Sequence, residues 1–203
     1  LKKILRTTSI LAGVCAVCAF LLALISGLAK DKIALNEEKK IENAIFNLSS
    51  SASKIEESYI DNSFIYKLFD KNNNIIGYAV LISGNGYQGQ IKILVIVDSY
   101  FDKMEGIQII ESSETPGLGA KINEDSFKKQ FKDIELSKPI ECVKEKTEKD
   151  NEILAISGAT ISSKAVVSIL NKELLLLKST FSTLSKTNQE NLESIPNKTK
   201  TLK

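Results

Sequence analysis

Between Ser9 and Ala29 the chain reads SILAGVCAVCAFLLALISGLA, 21 residues without a charged side chain. As a helix, a stretch of this length measures about 30 Å, the thickness of a bilayer's hydrocarbon core. The sequence therefore predicts a transmembrane helix over 9–29, preceded by a short polar N-terminus over 1–8. A cleaved secretory signal is the competing reading, since Gly27, Leu28 and Ala29 offer small residues to a peptidase, but the apolar run exceeds the roughly 7 to 15 residues of a normal signal core. Lys2, Lys3 and Arg6 precede the run and Lys30 and Lys32 follow it, so basic residues alone do not orient it. Cys15 and Cys18 fall one turn apart on this helix and read as small contact residues rather than as a metal or redox pair.

The remainder of the chain is bounded by what it lacks. No histidine occurs among its 203 residues, which removes Ser-His-Asp and Cys-His nucleophilic machinery, histidine zinc ligation and histidine proton shuttling together. The 27 basic residues nearly balance the 25 acidic ones, so no nucleic-acid partner is expected. Cys142 stands alone outside the apolar run, and the soluble part has no second thiol with which to form an internal disulfide.

After the membrane, Ile33, Leu35, Ile41, Ala44, Ile45 and Leu48 recur among charges as an amphipathic helical stalk, and the Ser/Lys/Glu-rich residues 49–58 read as a loop. The stalk and linker thus occupy 30–58. A folded domain is expected over 59–180. Its first half, SFIYKLFD, IIGYAVLISG and IKILVIVDSYFDKMEGIQIIESS, is β-rich and punctuated by KNNN and NGYQGQ. That pattern predicts three or four largely antiparallel strands between 63 and 112. A short helix with Phe127 and Phe131 on one face follows, then short strands with charged turns over 137–156. Apolar residues at 165, 166, 169, 170, 174 and 177 make a helical stripe. Residues 181–203 are polar and unpatterned and are expected to form a disordered tail. The fold class is α+β: a transmembrane helix, then a largely antiparallel sheet with flanking helices.

Two short motifs carry chemistry. In ISGATISS a strand ends, Gly158 permits a positive-φ turn, and a helix is expected to begin near Ser162. Thr160 thereby sits where unpaired N–H groups and the helix dipole favour an anion, with the hydroxyls of Ser157, Thr160 and Ser162 as further donors. An ordinary Ser/Thr-rich helix cap explains the same spacing. In ETPGLG, Pro116 and Gly117 suit the central positions of a type II turn. The loop is either a plain turn or a backbone passing close to a flat ligand, with Glu114 and Thr115 at the ligand's edge and Leu118 against its face.

Taken in order, GYQGQIKILVIVD, ETPGLG and SGATISSKAV behind one membrane helix resemble the FMN-binding domain family. Within it the match is to the G subunits of Rnf-type ion-translocating electron-transport complexes, with the C subunits of sodium-pumping NADH:quinone reductases second. The resemblance extends to about residue 178. It implies FMN attached covalently through its phosphate to Thr160, with Glu114, Thr115, Leu118, Gly119, Ser157, Gly158 and Ala159 binding the cofactor and no metal. It further implies attachment by a separate flavin transferase with FAD as donor, and an electron-relay role beside the other membrane and redox subunits of the complex. This chain would then be a phosphoprotein in the chemical sense, with no catalytic machinery of its own. Location follows in the same way: the bacterial inner membrane, one pass through the lipid bilayer, N-terminus cytoplasmic and flavin domain on the periplasmic side. Two positions depart from the family pattern, which generally has an aspartate where this chain has Leu154 and a histidine where it has Ser112. An accessory subunit that keeps the fold without covalent FMN is the alternative that Leu154 motivates.

Overall fold

The uncharged run lies within one uninterrupted helix, α1 (Lys2–Leu48), in a computed structural model that describes residues 2–60, 63–145 and 149–193. The chain divides into two units, Leu1–Asn43 and Ala44–Lys203. In the first, Lys2–Lys30 is long and apolar enough to cross a membrane, and its most apolar window is not buried in the protein at all. Leu11, Val14, Phe20, Leu24 and Ile25 all lie exposed along it, far more contiguous apolar surface than a water-facing helix normally shows. The helix passes Lys30 without a break.

The second unit is built on a six-stranded antiparallel meander. Its strands are β1 (Lys54–Ile60), β2 (Ser63–Phe69), β3 (Ile75–Asn85), β4 (Gln90–Asp98), β5 (Lys103–Ser112) and β6 (Ile134–Glu135), adjacent in that order. Four of them fall where the alternation between 63 and 112 places strands. The loop expected over 49–58 ends early, because β1 pairs with β2 from Lys54 opposite Phe69. Charged residues disguise β1, and its place at the sheet edge explains them: Lys54, Glu56 and Glu57 are exposed on a strand with one free side. The KNNN turn forms as expected, with Asp70 Oδ1 accepting the N–H groups of Asn72 and Asn74, each at 2.8 Å.

The core lies on both sides of β4. Ile91, Ile93, Val95 and Val97 join Ile107 and Ile109 of β5 and Val166, Val167, Leu170 and Leu174 of the last helix, α3 (Thr160–Glu193). Leu94 and Ile96, equally buried, face the other way. There Gly106 stands opposite Ile96, and Leu48 Cδ2 lies 3.3 Å from the position a Cβ on Gly106 would take. Each aliphatic side chain buried this completely contributes about 1.5–3 kcal/mol, so β4 is a firm base for the loops at its ends.

Between sheet and α3 come a 3-10 turn (Gly119–Asn123), the one-turn helix α2 (Asp125–Lys128), a second 3-10 turn (Lys129–Phe131), and a parallel pair, β7 (Glu141–Val143) and β8 (Glu152–Leu154). Phe127 and Phe131 pack edge to face with ring centroids 5.3 Å apart, as their spacing predicts. Residues 146–148 of the charged turn lie outside the described residues. Two boundaries of α3 differ from expectation. The helix starts at Thr160 rather than near Ser162, and it continues through 181–193, where a disordered tail was expected. No glycine or proline intervenes before Pro196, and polarity alone does not stop a helix already nucleated by its packed turns. Residues 194–203 of the expected tail lie outside the described residues.

Candidate functional site

The ETPGLG loop leaves the end of β5 and folds back as the anticipated type II turn. Leu118 N–H donates to Thr115 O at 3.2 Å, and Gly117 takes φ +76° at the third position. Ala120 N–H donates to the same Thr115 carbonyl at 3.1 Å. The loop is fastened to the β3–β4 hairpin as well. Thr115 Oγ1 donates to Gln88 Oε1, and Glu114 Oε1 accepts the backbone N–H groups of Tyr87 at 2.6 Å and Gln88 at 3.1 Å.

The SGAT stretch forms a second turn of the same kind. Ala159 N–H donates to Ile156 O at 2.9 Å, and Gly158 at its third position has φ +79°, a conformation that costs a residue with a Cβ about 1–2 kcal/mol. Ala159 is buried and its carbonyl accepts Ser163 N–H at 3.0 Å. Ser163, fully buried, closes the turn from inside: its Oγ accepts Ile156 N–H and donates to Ala159 O, each at 3.0 Å. The hydroxyl of Ser162 is committed elsewhere, so of the three donors expected from sequence only Ser157 and Thr160 remain. Ser157 is exposed, Thr160 is half-buried at the first position of α3, and neither hydroxyl is hydrogen-bonded among the described residues. The N–H groups of Thr160, Ile161 and Ser162 likewise find no backbone acceptor among them, which is the open first turn that attracts anions.

Glu114 joins the two turns. Its Oε2 accepts Ser162 Oγ at 2.7 Å, so one buried carboxylate holds the β3–β4 hairpin, its own loop and the start of α3. Burial by itself raises this carboxyl's pKa. The Ser162 hydroxyl and the N–H groups of Gln88, Tyr87 and Gly89 outweigh that effect and leave it below the ordinary carboxylate value. Gly119 is what allows the approach: a Cβ there would lie 2.6 Å from Ser162 Oγ and would also overlap Glu114 Oε2. Leu118, more than half exposed, has its Cδ2 3.8 Å from the point where a Cβ on Gly158 would sit. The structure therefore brings the predicted residues 114–119 and 157–160 to one place, but in two layers. Leu118, Gly158, Ser157 and Thr160 face outward, whereas Glu114, Gly119 and Ala159 lie beneath them, with Glu114's oxygens engaged inside the protein.

Three partners of this arrangement were not legible as such. Gln88 and Tyr87 act through a hairpin tip whose glycines announced only a turn, and Ser163 looks like any other helix-capping serine. At the two departures, Ser112 Oγ accepts Glu114 N–H at 3.3 Å. Leu154 is exposed, while its backbone is clasped by Gln130, which accepts Leu154 N–H at 2.9 Å and donates to Leu154 O at 3.3 Å.

Residues 86–174, from the hairpin tip into α3, match the FMN-binding domain family, and one apolar helix precedes them. Over 178 residues the chain is 33% identical to the G subunit of the ion-translocating oxidoreductase complex of Methanosarcina acetivorans, covering 84% of this chain and 92% of that one. It is 44% identical over 96 residues, 47% of this chain and 50% of the other, to the G subunit of the proton-translocating ferredoxin:NAD(+) oxidoreductase complex of Clostridium ljungdahlii. The chain belongs to the FMN-binding family of G subunits of ion-translocating oxidoreductase complexes. Among solved structures, NqrC of Shewanella oneidensis shares the fold with a TM-score of 0.51 at 20% identity, over 64% of this chain and 68% of that one.

Proposed function

We propose that this chain carries FMN esterified through its phosphate to Thr160 Oγ and relays electrons as a membrane-anchored subunit of an Rnf-type complex. The observation that carries the reading is the start of α3. Thr160 has no hydrogen-bonded partner for its hydroxyl among the described residues, three backbone N–H groups beside it are open, and the neighbouring Ser162 and Ser163 hydroxyls are already used. When bound, FMN accepts and releases one or two electrons without needing a histidine. The chain's own residues hold it. Thr160 and the exposed Ser157 would meet the phosphate, Gly158 would keep the turn beside them clear of a side chain, and Leu118 would offer the ring an apolar face. Glu114, Thr115, Gly119 and Ala159 keep these two turns against each other.

Attachment is the work of a separate flavin transferase with FAD as donor. Thr160 Oγ forms the new bond to the FMN phosphorus, the pyrophosphate bond of FAD breaks, and AMP leaves with the electron pair. The hydroxyl proton passes to the transferase, in keeping with a chain that has no histidine to accept it. The N-terminus lies in the cytoplasm, α1 spans the inner membrane, and the flavin domain is extracytoplasmic. Expression with the transferase followed by a denaturing gel tests the reading. The wild-type band fluoresces as a flavin and Thr160→Ala is dark at equal expression; a dark wild-type band, or fluorescence that survives Thr160→Ala, overturns it.

A further inference from the structure

Glu114 lies beside the first turn of α3 as a buried charge without a cation. Its carboxylate is 5% exposed and is held by the Ser162 hydroxyl and by the N–H groups of Gln88, Tyr87 and Gly89, with no charged side chain among the groups that govern its titration. Of the titratable side chains on the segments that meet it, Tyr87, Glu111, Lys121 and Lys164, none bonds to it among the described residues. Neutral donors stabilise a carboxylate without cancelling its field, so the full negative charge persists at neutral pH.

The place of that charge matters. Ser162, which Glu114 Oε2 accepts at 2.7 Å, is the third residue of α3 and Thr160 is the first, a separation of about 3 Å along the helix axis. The open first turn and the dipole of α3 amount to about +0.5 charge at this end. One full negative charge exceeds that, and its burial leaves it less screened than the exposed Lys164 one turn further on. The turn therefore offers a phosphate its N–H and hydroxyl donors but little net positive potential. A helix start bare of such a carboxylate attracts a doubly charged phosphate.

We propose that Glu114 determines the charge this site accepts: the single negative charge of a phosphodiester, against the two of a free flavin phosphate monoester. The inference rests on the proposed function, since it concerns the phosphate that Thr160 carries. A phosphate esterified to Thr160 keeps one charge, whereas a monoester carries nearly two above about pH 6. A functional consequence follows. The unmodified chain does not fill its own site with free FMN, and Thr160 stays open to the transferase until the diester is made.

The full chain, made without the transferase and kept in neutral detergent, is titrated with FMN and with the methyl phosphodiester of FMN, and flavin fluorescence anisotropy reports binding. The two probes share ring and ribityl chain and differ by one charge. At about pH 7.5 the methyl ester should bind wild type about fivefold more tightly, the effect of one extra charge roughly 10 Å from a partly screened carboxylate. The affinities should converge by about pH 5, where FMN has lost its second charge and Glu114, depressed below the ordinary carboxylate value, keeps its own. Glu114→Gln, of nearly the same shape, should abolish the preference. Glu111→Gln, which removes a carboxylate paired with Lys92 at 3.5 Å, should retain it. Equal binding of the two probes by wild type at about pH 7.5, or a preference that survives Glu114→Gln, overturns the proposal. So does failure of both wild type and folded Glu114→Gln to bind either probe. Should Glu114→Gln not fold, the wild-type pH profile decides: convergence toward acid upholds the proposal and a constant ratio overturns it. Gel fluorescence of wild type expressed with the transferase is read separately. A fluorescent band without charge preference defeats this inference alone, and a dark band with the preference intact defeats the covalent reading alone.

Discussion

Ser162 Oγ donates to Glu114 Oε2 across 2.7 Å, joining two side chains 48 residues apart in sequence. This contact is the seam between the ETPGLG loop and the first turn of α3, and both groups are buried. Ser162→Ala leaves the carboxylate oxygen without its donor in a site closed to water, at a cost of about 1–3 kcal/mol. Thermal unfolding of the full chain in detergent measures the loss; an unchanged midpoint would mean that the seam contributes no net stability.

The same carboxylate makes stability depend on pH. Its pKa lies lower in the folded chain than in the unfolded one, because the donors around it outweigh burial. A depressed carboxyl stabilises the fold above its unfolded value, about 4.3, and that stabilisation fades as pH falls through the lower folded value. Wild type should therefore exceed Glu114→Gln in stability at pH 7, and the gap should narrow steadily from about pH 4.3 downward. Denaturant titrations of both chains at several pH values check this; a gap that widens toward acid would reverse the sign.

Gly158 and Gly119 are required for different reasons, and alanine separates them. At Gly158 the nearest atom to an added Cβ is Leu118 Cδ2 at 3.8 Å, so the penalty is the positive φ alone, about 1–2 kcal/mol. At Gly119 the Cβ collides with Ser162 Oγ and the Glu114 carboxylate, and the seam must open. Gly119→Ala should accordingly lower the unfolding midpoint more than Gly158→Ala and should also remove the acid dependence attributed to Glu114. If the two substitutions cost the same and the acid dependence survives both, the layered arrangement of the site is wrong.

Much of this was readable from local chemistry, and what was not depended on distance in sequence. The strands from Ser63 to Ser112 declared themselves by alternation, and both turns by Pro-Gly and Ser-Gly, because each signal lies within a few residues. β1 was hidden, since Lys54, Glu56 and Glu57 suit an exposed edge as well as they suit a loop. The end of α3 was misread because a polar helix and a polar coil share a composition. At the site, the family resemblance pointed to Thr160, while motif spacing left a plain helix cap open and gave no sign of the inner layer. That Glu114 would turn inward follows from its meeting Ser162 and the Tyr87–Gln88 backbone, three segments that only the folded meander assembles.

Leu154 supplies the remaining test, because the structure separates its backbone from its side chain. The main chain is held on both sides by the Gln130 amide, whereas the side chain is 38% exposed and only its neighbour Ile153 is fully buried. Because about three-fifths of the leucine is covered, Leu154→Asp should cost about 1–2 kcal/mol and leave the chain folded. It also places a carboxylate where the family resemblance leads one to expect it, just ahead of the proposed attachment motif, and on the proposed reading flavin incorporation should rise. Gln130→Ala acts in the opposite sense: it frees both backbone groups of the strand leading into the Ser-Gly turn, at a cost of about 0.5–1.5 kcal/mol per hydrogen bond. Amide hydrogen exchange at Leu154 should accelerate in Gln130→Ala and stay at the wild-type rate in Leu154→Asp. Flavin per chain, read as gel fluorescence, should fall in the first and rise in the second. A Leu154→Asp chain that is stable but no better flavinylated would show that the position does not govern attachment here, and that the geometry of the turn, held by Gln130 and Ser163, does.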